Sequence, residues 1–151
     1  MLGRVGRFAQ VFGIAAILML PTATTALAAD LSIRPVSGHL IAKGVEVDVT
    51  VSFTCPAGDT VPPDQGGGNG GLFAFAQQAV SKTQQASGSG SGGGQTCTGL
   101  PQTAVLAILS NVSGPPFRVG PAVVNAFITA CDASACTFTS SGLTAVRFSM
   151  K

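Results

Sequence analysis

Four cysteines, one histidine and a pair of acidic residues hold most of the reactive chemistry of this 151-residue chain. Cys131 and Cys136 bracket Asp132-Ala133-Ser134-Ala135 between two segments that alternate like antiparallel strands. A disulfide across that turn would pin a hairpin and its register. Cys55 closes the most regular alternating segment, and Cys97 lies in Gln95-Thr96-Cys97-Thr98; these two would then pair across the fold. Three connectivities are formally open, and spacing excludes none of them. Zinc is the competing use of cysteine, but no CxxC pair occurs and His39 is the sole imidazole. His39, Glu46 and five scattered aspartates are the available acids and bases, and none belongs to a catalytic motif. Glu46 and Asp48 would stand about 7 Å apart on one strand face, which is more simply a solvated outer face. The expectation is a protein without catalytic residues. Gly88-Ser89-Gly90-Ser91-Gly92-Gly93 matches G-x-G-x-x-G in letters, but no parallel strand feeds it and no helix follows, so no cofactor is expected.

The elements that must position these residues are strands. Val45, Val47, Val49, Val51, Phe53 and Cys55 alternate with Glu46, Asp48, Thr50, Ser52 and Thr54, a period of two that predicts a strand with one buried and one wet face. Leu31 to Val36 alternates more briefly, with Pro35 suggesting an edge, Ser37-Gly38 interrupting, and His39 to Ala42 resuming. Thr103 to Leu109 is an apolar strand. Ala122 to Cys131 alternates between two rather apolar faces and reads as central. Leu143 to Met150 forms the last strand, with Val146, Phe148 and Met150 inward. Leu72 to Ala86 fits helical spacing as well as a strand, and its neighbours favour the strand. The glycine-rich stretches 65–71 and 87–95 read as mobile surface loops.

Met1 to Ala28 has the form of a secretory signal, with Arg4 and Arg7, an apolar run from Val11 to Leu20, and Ala26-Leu27-Ala28 as an A-x-A cleavage pattern. Residues 29–151 would then form a single domain, exported as a soluble monomer into an oxidising space where cysteines pair. Its six basic residues balance its six acidic ones, so it offers no electrostatic footprint for nucleic acid or for a membrane after signal cleavage. There is no Trp and no Tyr, which removes the usual anchors of protein and sugar recognition. Most of the phenylalanines are expected in the core. Phe73, Phe75 and Phe117 are the candidates for lining an apolar cleft.

The chain resembles a group of uncharacterised small secreted immunoglobulin-like proteins of high-GC Gram-positive bacteria. The likeness rests on Ala42-Lys43-Gly44 leading into Val47-Asp48-Val49-Thr50-Val51, on Phe53-Thr54-Cys55-Pro56-Ala57-Gly58, and on Thr96-Cys97-Thr98-Gly99. It continues through Pro101-Gln102-Thr103, Gly114-Pro115-Pro116-Phe117 and Ala130-Cys131-Asp132-Ala133. The resemblance implies an antiparallel β-sandwich of about seven strands with Cys55–Cys97 and Cys131–Cys136 bridges, and no activity. A fainter likeness, carried by the Cys-x4-Cys hairpin of Cys131 and Cys136, is to the neocarzinostatin family of enediyne apoproteins, which hold an apolar chromophore on an immunoglobulin-like barrel. Two binding expectations follow: a non-catalytic domain with a protein partner, or a carrier of a small apolar ligand. A hydrolase of unfamiliar type is the third.

Overall fold

The computed structural model describes residues 30–64 and 70–151. The signal segment 1–28 and most of the first glycine stretch, 65–69, lie outside the described residues. Ten strands follow one another along the rest: β1 (Ser32–Ile41), β2 (Glu46–Thr54), β3 (Thr60–Val61), β4 (Leu72–Ala79), β5 (Gln85–Gly92), β6 (Gln95–Thr96), β7 (Gln102–Ser110), β8 (Gly120–Cys131), β9 (Cys136–Ser140) and β10 (Thr144–Met150). Among the described residues the sole helical element is a 3₁₀ turn, Ala42–Gly44.

Seven of these strands close on themselves in the order β10-β1-β2-β7-β5-β4-β8, because β10 pairs both β1, in parallel, and β8, antiparallel. The result is a closed all-β barrel, which removes the exposed edges of an open sheet. Two of its seams are short. β1 meets β10 only through Gly38, His39 and Leu40, and β5 meets β7 only through Gly88 and Ser89. Between these seams the barrel has a three-stranded half, β1-β2-β7, and a four-stranded half, β5-β4-β8-β10. The hairpin strand β9 extends the outer edge of β8 beyond β10.

The long strands follow their alternation. Val47, Val49, Val51 and Phe53 on β2 are buried, as are Ala122, Val124, Ala126, Ile128 and Ala130 on β8. Segment 72–79 is strand β4, as its neighbours favoured. Four details differ from the expectation. Val45 is 53% exposed, because the chain is still leaving the 3₁₀ turn there. Met150 is 72% exposed at the barrel rim. Ser37-Gly38 does not interrupt β1. A bulge between Pro35 and Ser37 shifts the inward parity from Ile33 and Pro35 to Gly38 and Leu40. Gly38 is required inside, since a Cβ there would lie 2.4 Å from the Phe148 ring. Finally, the glycine stretch 87–95 is mostly strand. Its inward positions are Ala86, Gly88, Gly90 and Gly92, and its outward ones are Ser87, Ser89 and Ser91, a strand whose inner face carries almost no side chain.

Both disulfides form, Cys55–Cys97 and Cys131–Cys136. They lie at the same pole, where β2 and β8 end and β4 begins. At the opposite pole, where β1 and β10 end, no disulfide closes the barrel. The loop 111–119 does so instead, by laying Phe117 into the opening.

Candidate binding sites

Phe73 and Phe75 lie on the outward face of β4, since Leu72, Ala74, Ala76 and Gln78 take the inward positions. Register sets Phe73 beside Phe127 of β8, and the adjacent hairpin places Phe138 of β9 opposite Thr129. The four rings form one cluster. Phe73 and Phe75 meet edge-on at 4.5 Å, Phe75 and Phe127 edge-on at 6.0 Å, and Phe127 stacks with Phe138 at 5.8 Å. Such pairs favour one another beyond their burial. Phe75 is 48% exposed and Phe138 64%. Together with Gly70, Gly71 and Thr129 the rings line a shallow groove of about 190 Å³. On the far side of Phe75 a second groove runs over the serines and glycines of β5 to Leu109 and Asn111. Phe75 is thus a ridge between two depressions.

Phe117 is elsewhere. It is 2% exposed, and its ring packs edge-on against Phe148 at 5.5 Å. Three contacts hold its loop. The Phe117 N–H donates to the Gly44 carbonyl at 2.9 Å. Gly44 has φ +87°, and a Cβ on it would lie 1.9 Å from the Phe117 carbonyl oxygen, so only glycine fits. Gln78, 4% exposed, grips Arg118 twice, accepting from its N–H at Oε1 and donating from Nε2 to its carbonyl, both at 2.7 Å. Beside this loop a cavity of about 340 Å³ opens between Leu40, Phe117, Val119 and Met150, with Lys43 and Arg118 among its lining residues.

The three phenylalanines singled out in the sequence therefore belong to two sites. Phe73 and Phe75 line the outer groove, and Phe117 lines the cavity at the barrel end without a disulfide. Phe127 and Phe138 are the members of the ring cluster that the sequence did not single out. They alternate outward on β8 and β9, a signal visible only once the inward set is known. Of seven phenylalanines after residue 50, Phe53, Phe117 and Phe148 are buried, fewer than expected.

The titratable residues do not assemble a pocket. Ser149, His39 and Asp48 are neighbours across β10, β1 and β2, and Ser149 Oγ lies 3.1 Å from His39 Nδ1. That row lies on the outer wall of the barrel, no hydrogen bond joins His39 to Asp48, and the surrounding backbone is engaged in the sheet ladders. Its evident effect is to tie β10 to β1 at their short seam. Among the described residues no group of three or more His, Cys, Asp or Glu could hold a metal ion, and no helix is long and apolar enough to cross a membrane. No family model, curated protein or solved structure matches this chain.

Proposed function

We propose that the protein is a secreted, monomeric, non-catalytic immunoglobulin-like domain that binds a partner protein through the outer face of Phe73, Phe75, Phe127 and Phe138. The carrying observation is that four aromatic rings converge on the outside of a barrel whose interior is already filled. Soluble monomers seldom expose contiguous apolar surface without an interaction to cover it. A groove of about 190 Å³ is below the size of sites that enclose small molecules, and suits one aromatic or branched side chain projecting from a partner. Secretion is supported by the Met1–Ala28 segment and by both cross-links. The immunoglobulin-like reading is supported by strand order. β1-β2-β7 follows the A-B-E order of one sheet of such a sandwich and β4-β8-β10 the C-F-G order of the other, with β5 added to the second sheet along β4.

Selection of displayed peptides against the immobilised protein tests the reading. Peptides with an aromatic or branched aliphatic residue should be enriched, and a Phe75→Ser/Phe138→Ser double variant should bind them about tenfold more weakly or worse. Enrichment that survives the double variant unchanged, or none at all, would remove the proposed surface.

A second reading, a carrier of a small apolar ligand, is favoured by one observation: the 340 Å³ cavity beside Phe117 falls within the size range of small-molecule sites.

A further inference from the structure

The cavity at the undisulfided pole carries more than volume. Its wall is apolar, built from Leu40, Phe117, Val119 and Met150, and the last two are exposed among the described residues. Lys43 and Arg118 are the two charged residues in its lining, and neither makes an ion pair among the described residues. Glu46, the acid closest along the chain, lies on the outer wall opposite Leu109 of β7.

Lys43 is placed by unusual backbone. Ala42, Lys43 and Gly44 are consecutive residues in the left-handed region, with φ of 46°, 60° and 87°. Two of them are not glycine and adopt this conformation seldom. The turn is held in that shape by the Gly44–Phe117 hydrogen bond. Arg118 is fixed from the other side by the buried amide of Gln78. Two cationic residues are thus anchored through their backbone by separate elements beside one apolar depression. An apolar pocket flanked by unpaired cations is complementary to a molecule with an apolar body and a single anionic end.

We propose that this mouth binds a small amphipathic carboxylate, its apolar body lying on Leu40, Phe117, Val119 and Met150 and its carboxylate between Lys43 and Arg118. The proposal rests on the carrier reading and narrows it to an anion. At roughly 30 Å³ per water-sized unit, the cavity admits a body of about ten non-hydrogen atoms, the size of an eight-carbon fatty acid.

Octanoate and its uncharged counterpart 1-octanol distinguish the two parts of the claim. Titration followed by calorimetry, with amide NMR shifts of Gly44, Phe117 and Arg118 as the positional readout, should show octanoate bound about tenfold or more tightly than octanol. A Lys43→Gln/Arg118→Gln double variant should lose that advantage while binding octanol as before. Val119→Asp, at an exposed position that does not threaten folding, should weaken both. Equal binding of octanoate and octanol would overturn the anion and leave the carrier. No binding of either would overturn both. Recruitment to anionic vesicles, without shifts from monomeric octanoate, would overturn the proposal in favour of a membrane surface.

Discussion

Asp132 shows how one side chain can organise a turn that the flanking bridge alone would leave loose. Its Oδ1 accepts from the Ser134 N–H at 2.6 Å, the Ala135 N–H at 2.7 Å and the Ser134 hydroxyl at 2.8 Å. The backbone donors at Ser134 and then Ala135, followed by the Ser134 hydroxyl, all favour the charged carboxylate and hold its pKa below the usual 3.8. The sign of the linkage follows. A depressed folded-state pKa contributes stability that is fully present above the unfolded value and is lost as pH falls through the folded one. The wild-type protein should therefore lose stability below pH 3.8 in a way that Asp132→Ala does not, and Asp132→Asn should resemble the alanine variant. Urea midpoints measured from neutral to strongly acidic pH check this. Parallel acid limbs in wild type and variant would show that the turn is held by the disulfide alone. The same logic of local satisfaction explains Gln78, which occupies an inward strand position reserved elsewhere on β4 for Leu and Ala. The Arg118 backbone gives the Gln78 amide the partners that burial would otherwise deny it.

Strand β2 was legible because its inward and outward sets differ in hydropathy, the contrast that period-two reading detects, and β8 because a run apolar on both faces fits a central strand. Strand β5 was legible on neither ground. Its alternation is real, Gly88, Gly90 and Gly92 inward against Ser87, Ser89 and Ser91 outward, but it sets a hydrogen atom against a hydroxyl, and no hydropathy contrast reveals it. The glycines are there because β5 lies against the backbone of β7. A Cβ at Gly88 would stand 2.2 Å from the Leu109 carbonyl oxygen, and one at Gly90 would stand 2.1 Å from that of Ala107. A Gly90→Val variant should lose about 3 kcal/mol or more of stability, since carbonyl groups held in a ladder cannot move aside. Ser89→Val, on the outer face, should be nearly neutral or mildly stabilising through β propensity. A chemical-denaturation pair decides it, and equal effects at the two positions would place β5 outside the barrel wall. The outward direction of Phe73 and Phe75, the cleft candidates on β4, escaped detection through a related parity effect. On β4 the hydropathy of Phe73 and Phe75 argues for the inside, yet the interior there is filled by Ala74, Ala76, Ala126 and Ala130 together with large side chains from other elements, Phe53, Phe117 and Phe148. With that space taken, the two phenylalanines of β4 fall on the outer face. The bulge in β1 was likewise invisible, because Ser37-Gly38 resembles a turn and only the packing of Gly38 under Phe148 keeps it in the strand.

The whole molecule is a barrel with two unlike ends. At one, the Cys55–Cys97 bridge joins the end of β2 to the segment after β6, and a short backbone ladder reinforces it, Gly58 donating to Cys97 and Cys97 to Asp59 at 3.0 and 2.8 Å. At the other, closure depends on a phenylalanine, a glycine contact and one buried amide. The division suits a binding domain, since cross-links stiffen the scaffold without constraining the loop that forms the mouth. It also sets an order among the bridges. Cys55–Cys97 closes a 42-residue separation and Cys131–Cys136 one of 5. By loop-closure entropy the first should be worth roughly 4 kcal/mol and the second roughly 2. Cys55 and Cys97 are also buried, whereas Cys136 is exposed, so removing the long bridge additionally loosens core packing. Replacing both cysteines of each pair by alanine, and following thermal unfolding without reductant, should give the larger drop for Cys55→Ala/Cys97→Ala. In the other pair, Cys131→Ala/Cys136→Ala, the loss should be smaller and should fall mainly on the β8–β9 hairpin. Phe138 leaves the aromatic cluster if that hairpin frays, so the second variant should also weaken peptide binding at the outer face more than the first does at a temperature where both remain folded. The reverse ranking in stability would mean that the barrel closes without help from its long cross-link, with the seams β1–β10 and β5–β7 carrying closure despite their few paired residues.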